Sequence, residues 1–126
     1  MYTLPILKLN GDKNMKLYGI KTCGSVKKAM KFFKENSIDF EFIDFKKTKI
    51  EEKTVDYWLT KVSIDTLFNN RGTTYRTLKL KELNLDDKAK KEWLIKENML
   101  IKRPVIEYKD DVIVAFDEEV YKNTFI

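Results

Sequence analysis

Cys23 is the only cysteine in the 126 residues, and it stands where an apolar run gives way to a helical pattern. In Leu17-Tyr18-Gly19-Ile20-Lys21-Thr22-Cys23-Gly24-Ser25-Val26-Lys27-Lys28-Ala29 a short strand is followed by a turn, with the sulfur at the entry to the next element. The first turn of a helix carries backbone N–H groups without intrahelical partners and a partial positive charge. A thiolate held there is stabilised, so its pKa falls and more nucleophile is present at neutral pH. Lys21, Lys27 and Lys28 add positive potential, and Gly24 lets a bound anion or a partner thiol approach the backbone. Taken alone, one cysteine reads as a small buried hydrophobe. The strand–turn–Cys–helix setting makes it a reactive thiol instead.

The sequence contains no histidine. Cys–His proteases, Ser–His–Asp hydrolases and His-ligated metal centres are therefore excluded. Whatever activates Cys23 must be the helix terminus and cationic side chains. With no second cysteine there is no internal disulfide, which points to a reducing, cytoplasmic setting. No apolar run approaches the roughly 20 residues that cross a bilayer, so no membrane association is expected. A secretory cleavage pattern is likewise missing from the first residues. The net charge of +5 comes from 25 basic and 20 acidic residues, mostly interleaved. That pattern reads as a solvated surface rather than a nucleic-acid-binding face.

Several elements must position the thiol. Residues 1–14 show no helical periodicity and carry Pro5 and Asn10-Gly11, so they read as an extension, with a weak strand over Leu4–Leu9 as the alternative. Met15 opens the first clear strand. From Ser25 to Asn36, Val26, Ala29, Met30 and Phe33 recur at the spacing of one helical face, with lysines opposite. Residues 40–45 are rich in β-formers and give a second strand, parallel to the first across a βαβ crossover. Val55, Trp58, Leu59 and Val62 predict a helix over about 50–61. Ser63 can cap a short helix carrying Ile64, Leu67 and Phe68. Asn69 to Thr74 reads as a loop by composition. Leu85-Asp86-Asp87 starts a helix whose Ala89, Trp93 and Leu94 face inward. Residues 105–108 and 112–115 form a hairpin across Lys109-Asp110-Asp111. Asp117 can cap a last short helix with Val120 and Tyr121. The order is therefore βαβ, a helical insertion over about 48–100, then ββα, in one domain spanning 15–126.

Three pieces stand out together: Cys23 at a helix start, Arg71 in a Gly/Thr/Asn loop, and Lys102-Arg103-Pro104 before a strand. Proline entering a strand must sit at its first residue or at an edge, and X-Pro tolerates a cis peptide. Tyr18-Gly19-Ile20-Lys21-x-Cys23 with Lys27-Lys28-Ala29, then Arg71-Gly72-Thr73-Thr74-Tyr75-Arg76, then Ile101-Lys102-Arg103-Pro104, resembles the ArsC/Spx/YffB group of arsenate-reductase-related proteins. The likeness runs over about 15 to 122 and is greatest to the YffB-type branch. It implies an α/β, thioredoxin-like fold with a helical insertion, and a thiol-dependent oxidoreductase. By that resemblance Cys23 is the nucleophile, Arg71 and Arg103 bind an anion with their planar forks of donors, and Pro104 is the cis proline. Lys21, Thr22, Gly24 and Ser25 complete the expected substrate site.

The departures from the family pattern narrow the chemistry. Cys23-Gly24-Ser25-Val26 offers no resolving cysteine, so any disulfide forms with an external thiol, glutathione being the expected co-substrate. No tightly bound cofactor and no metal is implied. Arsenate reductases of the group carry a histidine four residues before the cysteine, where this chain has Gly19. Their third anion-binding arginine, near the last helix, corresponds to Phe116 or a neighbour. Both differences favour reduction of a disulfide or mixed disulfide over arsenate. A glutaredoxin is a candidate protein partner. The alternative reading is an Spx-like regulator that binds RNA polymerase without turnover, which the Val26 in place of a second cysteine disfavours. On the residues alone, Arg71 could instead pair with a carboxylate of the insertion. Tyr75 and Arg76 could line a cleft or anchor their loop. Trp58, Trp93 and the phenylalanines belong to the core, and Lys27-Lys28 to the solvated surface.

Overall fold

A computed structural model describes residues 15–126. The extension at 1–14 and the alternative strand over Leu4–Leu9 lie outside the described residues. Strand β1 (Met15–Gly19) leads through a turn into α1 (Gly24–Glu35), and β2 (Glu41–Asp44) follows. The insertion comprises α2 (Glu52–Leu59), α3 (Ile64–Leu67), α4 (Thr73–Thr77), a 3-10 turn (Leu80–Leu83), α5 (Asp87–Lys96) and a second 3-10 turn (Asn98–Leu100). The chain closes with β3 (Val105–Tyr108), β4 (Asp111–Val114) and α6 (Glu118–Phe125).

The strands form one sheet in the order β2-β1-β3-β4. β1 and β2 are parallel, while β1–β3 and β3–β4 are antiparallel. This is the thioredoxin-like arrangement, with the helical insertion between its βαβ and ββα halves. The central strands read as apolar on both sides because both faces are covered. Successive residues of a strand point to opposite faces. Met15 and Leu17 accordingly pack with α1 and α6, and Tyr18 packs with the insertion. β3 repeats the pattern, Ile106 joining Leu17 and Val105 joining Tyr18.

The face under α1 and α6 is aromatic. Phe33 stacks on Tyr121 at 5.6 Å, and Phe32 meets Tyr121 edge-on at the same distance. The buried Tyr121 hydroxyl donates to Ala115 O at 2.8 Å, so its polar end is satisfied. On the other face Trp58 is fully buried and donates through Nε1 to Glu107 Oε2 at 2.7 Å, with Tyr18 edge-on to its ring. Burial, reinforced by the Glu107 carboxylate, pushes the Tyr18 phenol well above its usual range, which keeps it protonated.

The structure corrects several sequence expectations. Asn69–Thr74 is not a loop throughout: Gly72 caps α4, which begins at Thr73. α1 buries Phe32 as well as Val26, Ala29 and Phe33, and leaves Met30 half-buried. Its inner stripe is wider than the chosen spacing allows. In α5 only Leu94 is fully buried; Ala89 and Trp93 lie at its margin. Among the described residues, no helix is long and apolar enough to cross a membrane.

Candidate functional site

The site begins where β1 ends. Phe45 N–H donates to Gly19 O at 2.9 Å, Cys23 N–H donates to Ile20 O at 3.3 Å, and Lys27 N–H donates to Cys23 O at 3.0 Å. Cys23 is thus the N-cap of α1, in extended conformation, and its side chain closes no capping hydrogen bond of its own. The residue is half-buried and packs at the margin of both apolar clusters. Its neighbours Lys21, Thr22, Gly24 and Ser25 are all exposed. A Cβ built on Gly24 meets nothing within 4 Å, so the space beside the thiol is open.

Partial burial alone would raise the thiol's pKa. The N–H of Val26, the Arg103 guanidinium and the N–H of Ser25 outweigh it, and the net shift is downward. The two sources are independent, one the helix terminus and the other a residue 80 positions away in sequence.

Arg103 owes its posture to backbone carbonyls. Its Nη1 donates to Met99 O at 2.9 Å and more weakly to Ile101 O at 3.5 Å. Its Nε is buried without a partner. A buried donor without an acceptor is costly, so Nε is left in need of one. The Arg103–Pro104 peptide is cis, as the resemblance implied, and Pro104 is buried at the start of β3. Pro104 O accepts from Ala115 N–H at 2.8 Å, which ties this turn to the end of β4.

Arg71 stands in a loop tied to the chain that leads into Arg103. Phe68 and Ile101 form an antiparallel bridge, flanked by Asn69 N–H donating to Leu100 O and Lys102 N–H donating to Leu67 O, both at 2.8 Å. In an antiparallel pair the two chains leave in opposite directions. Arg71 departs on the side of Leu100, and Arg103 on the other. The Arg103 side chain, however, turns back to Met99 O, toward the end from which Arg71 leaves. Arg71 is exposed, and among the described residues its guanidinium forms no ion pair with a carboxylate and no hydrogen bond to Cys23. The pairing of Arg71 with a carboxylate of the insertion is therefore not observed. Arg103 lies near enough to Cys23 to lower its thiol's pKa; Arg71 is not held against them.

Two further expectations resolve locally. Arg76 anchors its loop, donating through Nη1 to Arg71 O at 2.8 Å. Tyr75 packs edge-on against Phe68 at 5.8 Å. The carbonyls of Met99 and Ile101 are functional groups that the sequence could not reveal, since every residue carries one.

Two family positions also find a physical account. A Cβ on Gly19 would lie 2.6 Å from Val26 Cγ2, so the position of the arsenate reductases' histidine is closed by the helix residue behind it. Phe116, which with its neighbours the resemblance aligned with the third arginine, packs edge-on against Tyr121 at 4.9 Å.

Comparisons with known proteins place the fold and the family. A protein of Haemophilus influenzae is 33% identical over 110 residues, covering 86% of this chain and 96% of its own length. The solved structure of the YFFB protein has a TM-score of 0.83 at 30% identity, covering 89% of this chain and 99% of that one. An arsenate reductase (ArsC) related protein from Brucella melitensis has a TM-score of 0.71 at 32% identity, covering 91% and 97%. The sequence model of the ArsC family matches residues 18–124. With that match over nearly all the described residues, and a cysteine-capped helix facing the arginine before a cis proline, the chain belongs to the ArsC family.

Proposed function

We propose that this protein is a cytoplasmic, glutathione-dependent thiol reductase acting on a disulfide or glutathione mixed disulfide through Cys23. The single observation that carries the reading is the half-buried Cys23 thiol, lowered in pKa at the start of α1 and facing the Arg103 guanidinium. The Cys23 thiolate attacks one sulfur of the substrate R–S–S–G. A bond forms between Sγ and the glutathione sulfur while the old S–S bond breaks, and the electron pair leaves on RS⁻, which takes a proton from solvent. Reduced glutathione, as its thiolate, then attacks the Cys23–glutathione disulfide. That step returns the Cys23 thiolate and yields oxidised glutathione, so each turnover consumes one reduced glutathione and converts R–S–S–G into RSH and oxidised glutathione.

Arg103 stabilises the attacking sulfur, and Arg71 binds a carboxylate of the incoming glutathione. Gly24 leaves room for the peptide part of the substrate beside the sulfur. Val26, in the place of a resolving cysteine, is fully buried against Gly19, which supports resolution by an external thiol. The closed position at Gly19 and the apolar contact of Phe116 favour a disulfide over arsenate as the substrate. Incubation with oxidised glutathione followed by intact-mass measurement tests the reading. The expected result is a gain of one glutathione that reduced glutathione removes and that is missing in Cys23→Ser. No gain in the wild-type protein overturns the reading.

A further inference from the structure

The loop that carries Arg71 is held with a specificity that its exposure does not require. Asn69 is fixed at its backbone by Leu100 O. Its Oδ1 accepts from Arg71 N–H at 3.2 Å, and its amide lies over Gly72, where an added Cβ would come within 2.7 Å of Nδ2. From the other side Arg76 Nη1 donates to Arg71 O at 2.8 Å, and Nη2 donates to Thr73 Oγ1 at 3.4 Å. Both backbone groups of Arg71 are therefore occupied by side chains of its own loop. The ribbon of Phe68 and Ile101 ties that loop to the chain leading into Arg103. Among the described residues, the Arg71 guanidinium itself has no hydrogen-bond or ion-pair partner.

We propose that Asn69 and Arg76 are positioning residues that grip Arg71 from both sides, presenting its guanidinium to the anionic end of the substrate. The inference rests on the reading of Arg71 as the carboxylate-binding arginine of a thiol reductase. Two long, flexible side chains cannot give a directed anion contact from a mobile loop. A backbone pinned at N–H and C=O leaves only the Arg71 side chain to be ordered on binding. Arg76 contributes through its hydrogen bonds to the loop and not through its own charge. Gly72 is the residue that allows the Asn69 amide to lie across the loop, since any Cβ there would displace it.

The test compares two disulfides with opposite charge. Oxidised glutathione carries carboxylates; cystamine is cationic. Second-order rate constants for modification of Cys23 by each are measured by intact mass, and their ratio reports anion preference. A variant that merely loosens the fold changes both rates together. Arg71→Ala is expected to lower the ratio roughly tenfold, the loss of one charge-assisted contact. Asn69→Ala and Arg76→Met are expected to lower it several-fold, to lower it no further when combined with Arg71→Ala, and to leave the cystamine rate unchanged. Arg76→Lys, which keeps a donor for Arg71 O, restores most of the ratio. If Arg71→Ala lowers the ratio while Asn69→Ala and Arg76→Met leave it at the wild-type value, the grip is wrong and the reductase reading stands. If Arg76→Met lowers it equally in the Arg71→Ala background, Arg76 binds the anion itself and the positioning role is overturned. If wild type forms no mixed disulfide with either reagent, the reductase reading and the grip fall together.

Discussion

Cys23 gains its chemistry from two neighbours of different origin, and the glycines around it show how little else the site allows. Gly19 and Gly24 lie on either side of the thiol and serve opposite needs. At Gly19 a methyl group would meet Val26 Cγ2 at 2.6 Å, a branched side chain held in the core beneath α1. Gly19→Ala is expected to destabilise the fold by about 1–3 kcal/mol, the usual cost of overpacking, read as a lower urea midpoint at unchanged slope. At Gly24 the added methyl meets no protein atom. Gly24→Ala is expected to keep or raise stability, by up to about 1 kcal/mol, because alanine loses less conformational freedom on folding. Its glutathionylation is nonetheless expected to slow, since the methyl occupies space the substrate needs. Unchanged modification of a stable Gly24→Ala protein would show that the substrate does not approach from that side.

The elements that hold the site are secured mainly by their ends. Ser63 Oγ accepts from Thr66 N–H at 3.1 Å, Asp86 Oδ1 from Ala89 N–H at 2.9 Å, and Asp117 Oδ1 from Glu119 and Val120 N–H at 3.0 and 3.1 Å. Asp117→Ala is expected to cost about 1 kcal/mol through the lost cap of α6, measurable by urea unfolding. The Ser63 and Asp117 caps were legible in the sequence because a side-chain oxygen before an apolar pattern has one dominant use. α4 was not legible, since Gly72-Thr73-Thr74 opens it with weak helix formers and its five residues bury no side chain completely. The adjoining 3-10 turn lies between Lys79 and Asn84, both left-handed, and lysine in particular carries no signal for that conformation. The posture of Arg103 was equally hidden, because carbonyl oxygens and not side chains direct it. The motif residues thus announced Cys23 and Arg103, whereas Arg71 is not held against them, and the posture of Arg103 comes from backbone atoms.

At the scale of the whole molecule, one sheet carries two apolar clusters on its two faces. β1 and β3 contribute alternate residues to each, and Cys23 lies at the margin of both. Sharing the central strands couples the clusters. Trp58 and Trp93 both belong to the insertion face, so tryptophan fluorescence reports that side, whereas far-UV circular dichroism also includes α1 and α6. The two signals are expected to give one coincident urea transition; separated midpoints would show that the insertion face unfolds on its own. The site draws on both halves, α1 supplying the helix terminus and Arg103, between the insertion and β3, supplying the cation, so an intact molecule is needed for a lowered thiol. The most direct measurement is therefore the rate of Cys23 alkylation by iodoacetamide against pH, in wild type and in Arg103→Gln. Reactivity is full above the thiol's pKa and is lost as pH falls through it. The account predicts a wild-type midpoint below the roughly 8.5 of a free cysteine, moving upward in Arg103→Gln. A wild-type midpoint at or above that value, or one that Arg103→Gln leaves in place, would contradict it.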